Sequence, residues 1–395
     1  MIRNACATTH ITLSETFMRF STKTIAFAIA CAAAGGAHAQ QVVKIGHVGP
    51  VSGPNSHLGK DNENAARMAI DELNAKGFTI NGQKVKLQLL AEDDASDPKQ
   101  GTAVAQKLVD AKVNGVVGHL NSGTSVPASR IYHNAGLVQV SPATTATQFT
   151  RQKFPGVFRV VANDAKLGGT LGKYAVETLK VKNIAVIDDR TTYGQGVAAE
   201  FAKAAKGPGV RIVDKQFTSA TATDFTAILT AIRAKKPDLV FFGGMDAVAG
   251  PMLKQMKALG INARFMGGDG MCTAALGRLA GDAVGEGKVV CAEAGGVKGA
   301  QEQVMADFRT RFKQKTGNEV QLYAPYVYDS VMVMATAMQN AKSAEPAKYL
   351  PELKKIKYEG VTGTIQFDPS GDILDGALTL YTYKGGARTR MDVIR

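Results

Sequence analysis

Between Val42 and Met266 the chain alternates strand-like and helix-like segments in two successive runs, and this alternation restricts the fold more than any other feature. Val42–Val51 alternates apolar and polar residues and ends in a Gly/Pro turn. Asn64–Lys76 then sets Ala65, Met68, Ala69 and Leu73 at helical spacing, with Gly77 as a stop. Lys84–Asp93 reads as a strand, Pro98–Ala111 as a helix with proline in its first turn, and Gly115–Leu120 as a buried strand. Ser125–Ala135 (helix) and Gly136–Ser141 (strand) complete the first run. The second run places strands at Asn183–Asp189, Val210–Phe217, Asp238–Gly243 and Arg264–Met266, with helices at Gly196–Lys206, Phe225–Ala234 and Ala247–Leu259 between them. Strands joined by helices lie parallel and are covered on both faces. The expected fold class is therefore α/β, with two doubly wound Rossmann-like halves. The tail adds helices at Glu302–Thr316 and Tyr326–Ala341 and strands near Thr364–Phe367 and Leu378–Lys384.

The first 39 residues do not belong to that pattern. Arg19 and Lys23 precede an Ala-rich apolar stretch, Thr24–Ala34, and Ala37-His38-Ala39 has the small-x-small form cut by signal peptidase. The expectation is a signal peptide at 1–39, with residues 1–17 an upstream extension, Met18 the working start and a mature chain beginning at Gln40. Export leaves two cysteines, Cys272 and Cys291. In an oxidising compartment these are expected to pair, the alternative being two buried free thiols.

The chain carries a formal charge of +13, but its basic residues are dispersed and aromatics make up only 7%, so no nucleic-acid surface is expected. The segment GPNSHLGKD (Gly53–Asp61) mimics a phosphate loop, yet it has five spacers where four are needed and ends in Asp61 where Ser or Thr would ligate magnesium. No GxGxxG follows the first strand, and neither GxSxG nor HExxH occurs. No enzymatic activity, cofactor or metal is expected. The pairs Asp93-Asp94 and Asp188-Asp189 read as turn-shaping residues at strand ends.

What remains is a set of polar loops at strand C-termini, the edge at which open α/β sheets bind ligands. HLNSGTS (His119–Ser125) puts Ser122 and free N–H groups at a helix start, which suits a carboxylate. SPATTAT (Ser141–Thr147) offers the hydroxyls of Thr144 and Thr145. TTYGQG (Thr191–Gly196) places Tyr193 just before a helix, and MGGDG (Met266–Gly270) places Asp269 in a Gly-rich turn. Donors from one half and a carboxylate from the other are matched to a zwitterion.

These segments carry a resemblance. VGPVSGP (Val48–Pro54), DDASDPKQ (Asp93–Gln100), GHLNSGTSVPAS (Gly118–Ser129), SPATTA, YGQG, FFGGMD (Phe241–Asp246) and FMGGDG (Phe265–Gly270) resemble, in order and spacing, the periplasmic leucine/isoleucine/valine-binding proteins of ABC transporters. The resemblance implies a type I periplasmic-binding fold: two lobes, a hinge of three crossings and a ligand clamped between the lobes. With it come a lobe built from 40–162 and 295–360, and a second from 163–294 and 361–395. It implies that Ser122 receives a ligand carboxylate, that Thr145 and the Ala143 carbonyl hold the carboxylate and ammonium, and that Asp269 is the ammonium's counter-ion. Leu120, Tyr193 and Tyr323 would line the cleft, as would Leu58 and Met245, which stand where some relatives carry aromatics. Asp269 is one methylene shorter than the glutamate of those relatives, and their first-lobe cysteines are replaced here by Ser96 and Asn121. The implied partners are a branched-chain amino acid and an inner-membrane ABC permease, with a monomeric periplasmic protein delivering the one to the other. The same fold serving phenylalanine, an amide or an aromatic acid is the alternative.

Overall fold

The computed structural model describes residues 40–394, so the cleavage site and the upstream extension lie outside the described residues. The first half contains β1 (Gln41–Gly49), β2 (Thr79–Ile80), β3 (Gln83–Asp93), β4 (Gly115–Gly118), β5 (Gln139–Ser141) and β6 (Val157–Arg159). They form one sheet in the order β2-β3-β1-β4-β5-β6. β1 pairs in parallel with both β3 and β4, and β5 and β6 continue in parallel. The short β2 is antiparallel to β3 and carries too little alternation to be read from sequence.

The helices of this half are α1 (Ser56–Ala75), α2 (Pro98–Asp110), α3 (Ser122–Asn134) and the single turn α4 (Gln148–Arg151). α1 and α3 begin earlier than their apolar periodicity predicts, at Ser56 instead of Asn64 and at Ser122 instead of Ser125. Their first turns are polar, so they lack the apolar repeat by which a helix is recognised. Val43, Ile45, Val117 and Val140 of the sheet and Met68 and Leu73 of α1 are buried in one core. Each such side chain contributes about 1.5–3 kcal/mol by leaving water.

The chain then crosses to the second half. There α5 (Asp164–Glu177) leads to β7 (Asn183–Asp188), α6 (Thr192–Ala204), β8 (Arg211–Phe217), α7 (Thr226–Ala234), β9 (Leu239–Gly243), α8 (Asp246–Ala258), β10 (Arg264–Gly267), α9 (Ala274–Ala280) and β11 (Val289–Glu293). After β11 it returns: α10 (Gln301–Thr316), α11 (Ala324–Asn340) and α12 (Pro346–Lys354) follow, and α11 packs on α1, β4 and β5 of the first half. The hairpin β12 (Tyr358–Gly360) and β13 (Gly363–Ile365) precedes a third crossing, after which β14 (Leu378–Lys384) and β15 (Ala387–Ile394) complete the second sheet. That sheet has the order β15-β14-β11-β10-β9-β7-β8, with β14 and β15 antiparallel additions to a parallel core. The two doubly wound halves and the three crossings are as expected. Ahead of the third crossing, the Phe367 ring lies against Phe158 and Arg159 Nε donates to Asp372 Oδ1 at 2.6 Å, so this stretch sits on the first sheet.

Cys272 and Cys291 are bonded, with Cα atoms 5.4 Å apart and both side chains fully buried. The bridge ties the turn after β10 to the middle of β11.

Candidate functional site

In each sheet two neighbouring strands feed helices on opposite faces, β1 and β4 in the first and β7 and β9 in the second. Beyond the C-terminal ends of such a pair the sheet leaves a crevice, because the two connections diverge. The crevices of the two halves face each other across one small cavity. From the first half come Leu120, Asn121, Ser122, Ala143 and Tyr323; from the second come Tyr193, Met245, Asp269 and Gly270. A wider groove of about 540 Å³ between Phe154, Phe158 and Phe367 gathers none of these residues.

Ser122 opens α3, where the N–H groups of Thr124 and Ser125 donate to the Asn121 carbonyl and those of Ser122 and Gly123 precede the first helical hydrogen bond. Its hydroxyl accepts from the Ala146 N–H at 3.2 Å, which fastens the Ser141–Thr147 loop to the helix start. In that loop the adjacent threonines part company. The Thr144 hydroxyl is hydrogen-bonded to Ser125 at 2.5 Å and to Ser141 at 2.7 Å, so it braces the loop from behind and does not line the cavity. The Thr145 hydroxyl is buried without a hydrogen bond, and Thr145 too stands behind the cavity wall, with its carbonyl held by the Asp164 N–H. Leu58 is also absent from the cavity wall; it lies fully buried in the first core.

Across the cavity, Asp269 opens a single 3-10 turn, Asp269–Met271, directly after β10. Tyr193 lies within the first turn of α6, not ahead of it, because Thr191 caps the helix by accepting from the Gly194 N–H. The Tyr193 hydroxyl accepts from the Gly270 N–H at 2.9 Å. A Cβ on Gly270 would lie 2.7 Å from both the Tyr193 ring and the Met245 sulfur, so only glycine permits this approach. Tyr323 donates to Asp269 Oδ2 at 3.0 Å from the other half. Burial pushes the Asp269 carboxyl up to about 6, although the hydroxyls of Tyr193 and Tyr323 favour its charged form. A buried acid of this kind gains most from a cation placed beside it.

A second bond between the halves lies at the edge of the cleft. His57 Nε2, in the first turn of α1, is 2.9 Å from Asp246 Oδ2 at the start of α8. Thr273 donates to the same oxygen at 2.5 Å, and Asp246 itself is fully buried. Asp246 lies inside FFGGMD, and nothing in its neighbourhood or that of His57 marks the other as a partner, since residues so far apart in the chain meet only through the fold. The strand-end carboxylates do shape turns: Asp93 accepts from the N–H groups of Val51 and Ala95, and Asp189 from that of Thr191.

The arrangement supplies the Ser122 hydroxyl, N–H donors and the Tyr323 phenol from one half, and a buried carboxylate with the Tyr193 phenol from the other. A guest of modest size with a negative and a positive end meets complementary groups at both.

Comparison with known proteins shows the family and the fold. A family model described as periplasmic binding protein matches residues 42–387. The chain is similar to an amino acid binding protein of Pseudomonas aeruginosa, with 36% identity over 88% of this chain and 91% of that one. It is also similar to a leucine-, isoleucine-, valine-, threonine- and alanine-binding protein of the same organism, with 33% identity over 90% of this chain and 93% of the relative. Among solved structures, the branched-chain amino acid transporter substrate binding protein LivJ of Streptococcus pneumoniae, in complex with isoleucine, superposes with a TM-score of 0.80. The two share 26% identity, and the match covers 90% of this chain and 99% of that one.

Proposed function

The chain belongs to the periplasmic binding protein family, and from that premise we propose that it is the extracytoplasmic receptor of an ABC transporter for leucine, isoleucine and valine. The observation that carries this reading is the convergence of Ser122 and Ala143 from one half with Asp269 from the other on a single cavity. In this reading the ligand carboxylate is received by Ser122 and the N–H groups opening α3, a helix N-terminus that favours negative charge. The ammonium lies between the Ala143 carbonyl, the Thr145 hydroxyl and Asp269. The aliphatic side chain packs against Leu120, Met245 and the rings of Tyr193 and Tyr323. Met245 is unbranched and adapts to differently shaped aliphatic groups.

Binding shifts a hinged protein toward closure only if the ligand has greater affinity for the closed form. A ligand touching both walls meets that condition, because its second set of bonds exists only when the halves are together. The closed form is then the species that an inner-membrane permease recognises in the periplasm, with no chemical turnover of the amino acid. Titration calorimetry of the mature chain, residues 40–395, against the twenty amino acids and benzoate tests the assignment. Saturable heat with leucine, isoleucine and valine supports it. Saturation by phenylalanine or benzoate in their place moves the assignment to an aromatic ligand, and silence from all of them overturns it.

A further inference from the structure

We infer that Asp164 is a positioning residue for the cationic end of the bound amino acid, orienting the Thr145 hydroxyl and supplying a second negative charge next to Asp269 once the ligand is in place. The inference rests on the amino-acid reading of the cleft given above.

Asp164 opens α5, immediately after the first crossing between the halves. It is 1% exposed, and neither carboxyl oxygen has a hydrogen-bond partner among the described residues. Its own N–H donates to the Thr145 carbonyl at 2.8 Å, so the two residues are held against each other. From the other side α6 presses close: a Cβ on Gly196 would lie 2.6 Å from Asp164 Oδ2, so a glycine is what leaves room for the carboxyl. A buried acid normally claims a cation or several donors. The nearby guanidinium of Arg159 is engaged elsewhere, by Asp372 through Nε, by the carbonyls of Thr144 and Ala146 through Nη1, and by Thr150 through Nη2.

The groups that face Asp164 are Arg159 from β6, Asp269 from the turn after β10, Glu200 and Tyr193 from α6, and the Thr145 hydroxyl. Burial is the largest influence and pushes the carboxyl up to about 8, with Asp269 and Glu200 adding to the rise and Thr145 and Arg159 opposing it. The ligand-free protein at neutral pH therefore holds a proton on Asp164. An ammonium brought up to Asp269 supplies the missing positive charge. Asp164 then ionises, its O–H bond breaks and the proton passes to solvent. Thr145 keeps its own proton and directs it at the new carboxylate, which leaves the hydroxyl oxygen's lone pairs facing the ammonium.

Titration of the mature protein with L-leucine in two buffers of different ionisation enthalpy tests this. At pH 7 the wild type should release about half to one proton per ligand, and its affinity should rise about tenfold from pH 6.5 to pH 8.5. D164N keeps an acceptor for Thr145 but carries no charge. It should bind as the wild type does at pH 6.5, release no more than the roughly tenth of a proton that Asp269 still holds at pH 7, and fall about tenfold behind at pH 8.5. D164A removes the acceptor as well and should bind more weakly throughout. Buffer-independent heat and a flat pH profile for the wild type overturn the inference while leaving leucine binding intact, as does a D164N profile that still rises about tenfold with pH. A wild type that takes up no leucine at any pH overturns the receptor reading itself.

Discussion

The Tyr323 hydroxyl donates to Asp269 Oδ2 at 3.0 Å, joining the residue that precedes α11 in the first half to the turn after β10 in the second. The same two side chains face the cavity. The bond therefore connects closure to occupancy: a cation that competes for Asp269 does so at a point where the halves already touch.

Asp269→Asn keeps the shape of this corner and removes its charge. A charge-assisted hydrogen bond is worth about 1.5–3 kcal/mol, so leucine affinity should fall roughly ten- to hundredfold. Calorimetry at pH 7, where Asp269 with its carboxyl near 6 is mostly ionised, reads the loss. Unchanged affinity would remove Asp269 from the ligand's surroundings.

Ser122→Ala strips the acceptor for the Ala146 N–H and a donor from the carboxylate-facing wall. One neutral hydrogen bond contributes about 0.5–1.5 kcal/mol, and a buried N–H left without a partner adds about 1–3. The variant should bind leucine at least severalfold more weakly and melt a few degrees lower. Wild-type values for both would mean that Ser122 serves neither the loop nor the ligand.

The strands and their grouping into two halves were legible because buried parallel strands are runs of apolar residues, such as Val116-Val117 and Leu239–Phe242, and these are hard to read otherwise. Helix starts were not legible where they meet the cleft. Ser56–Glu63, Ser122–Thr124 and Thr192–Gln195 are polar because a binding edge must be polar, and that polarity removes the repeat by which a helix is recognised. Most of the cavity wall could be named from motifs. The division of labour between Thr144 and Thr145 could not, since two identical neighbours differ only in where the turn points them. Asp164 and the His57–Asp246 pair escaped notice because nothing local marks them; their importance comes from contacts made across the chain.

The disulfide gives a prediction about stability and not about binding. Cys272 and Cys291 enclose a loop of sequence separation 19, for which the chain-entropy model gives about 3 kcal/mol. The double variant Cys272→Ser, Cys291→Ser also buries two hydroxyls in an apolar core. Its denaturant midpoint should drop accordingly, whereas leucine affinity measured well below that midpoint should stay within about twofold, because neither cysteine lines the cavity. An equal midpoint for the oxidised wild type and the variant would contradict the stabilising role.

His57 and Asp246 give the halves a pH-dependent contact. Burial by itself would lower the His57 pKa, but the hydrogen bond and charge of Asp246 outweigh it and the net direction is upward. The open form lacks this partner, so its histidine should titrate near the ordinary value of about 6.5. A group whose pKa is raised by a contact strengthens that contact fully below its unperturbed pKa and loses the extra strength as pH climbs through the raised one. Closure should therefore be favoured below about pH 6.5 and become less favourable above it. His57→Gln retains a donor for Asp246 without a titratable charge, so the fraction closed, followed by small-angle X-ray scattering across pH 5.5–8.5, should fall with pH in the wild type and stay level in the variant. Parallel curves for the two proteins would show that this pair does not govern closure. The dependence runs opposite to the one expected of Asp164, whose ionisation favours the ligand as pH rises, so a single pH series on wild type, H57Q and D164N separates the two.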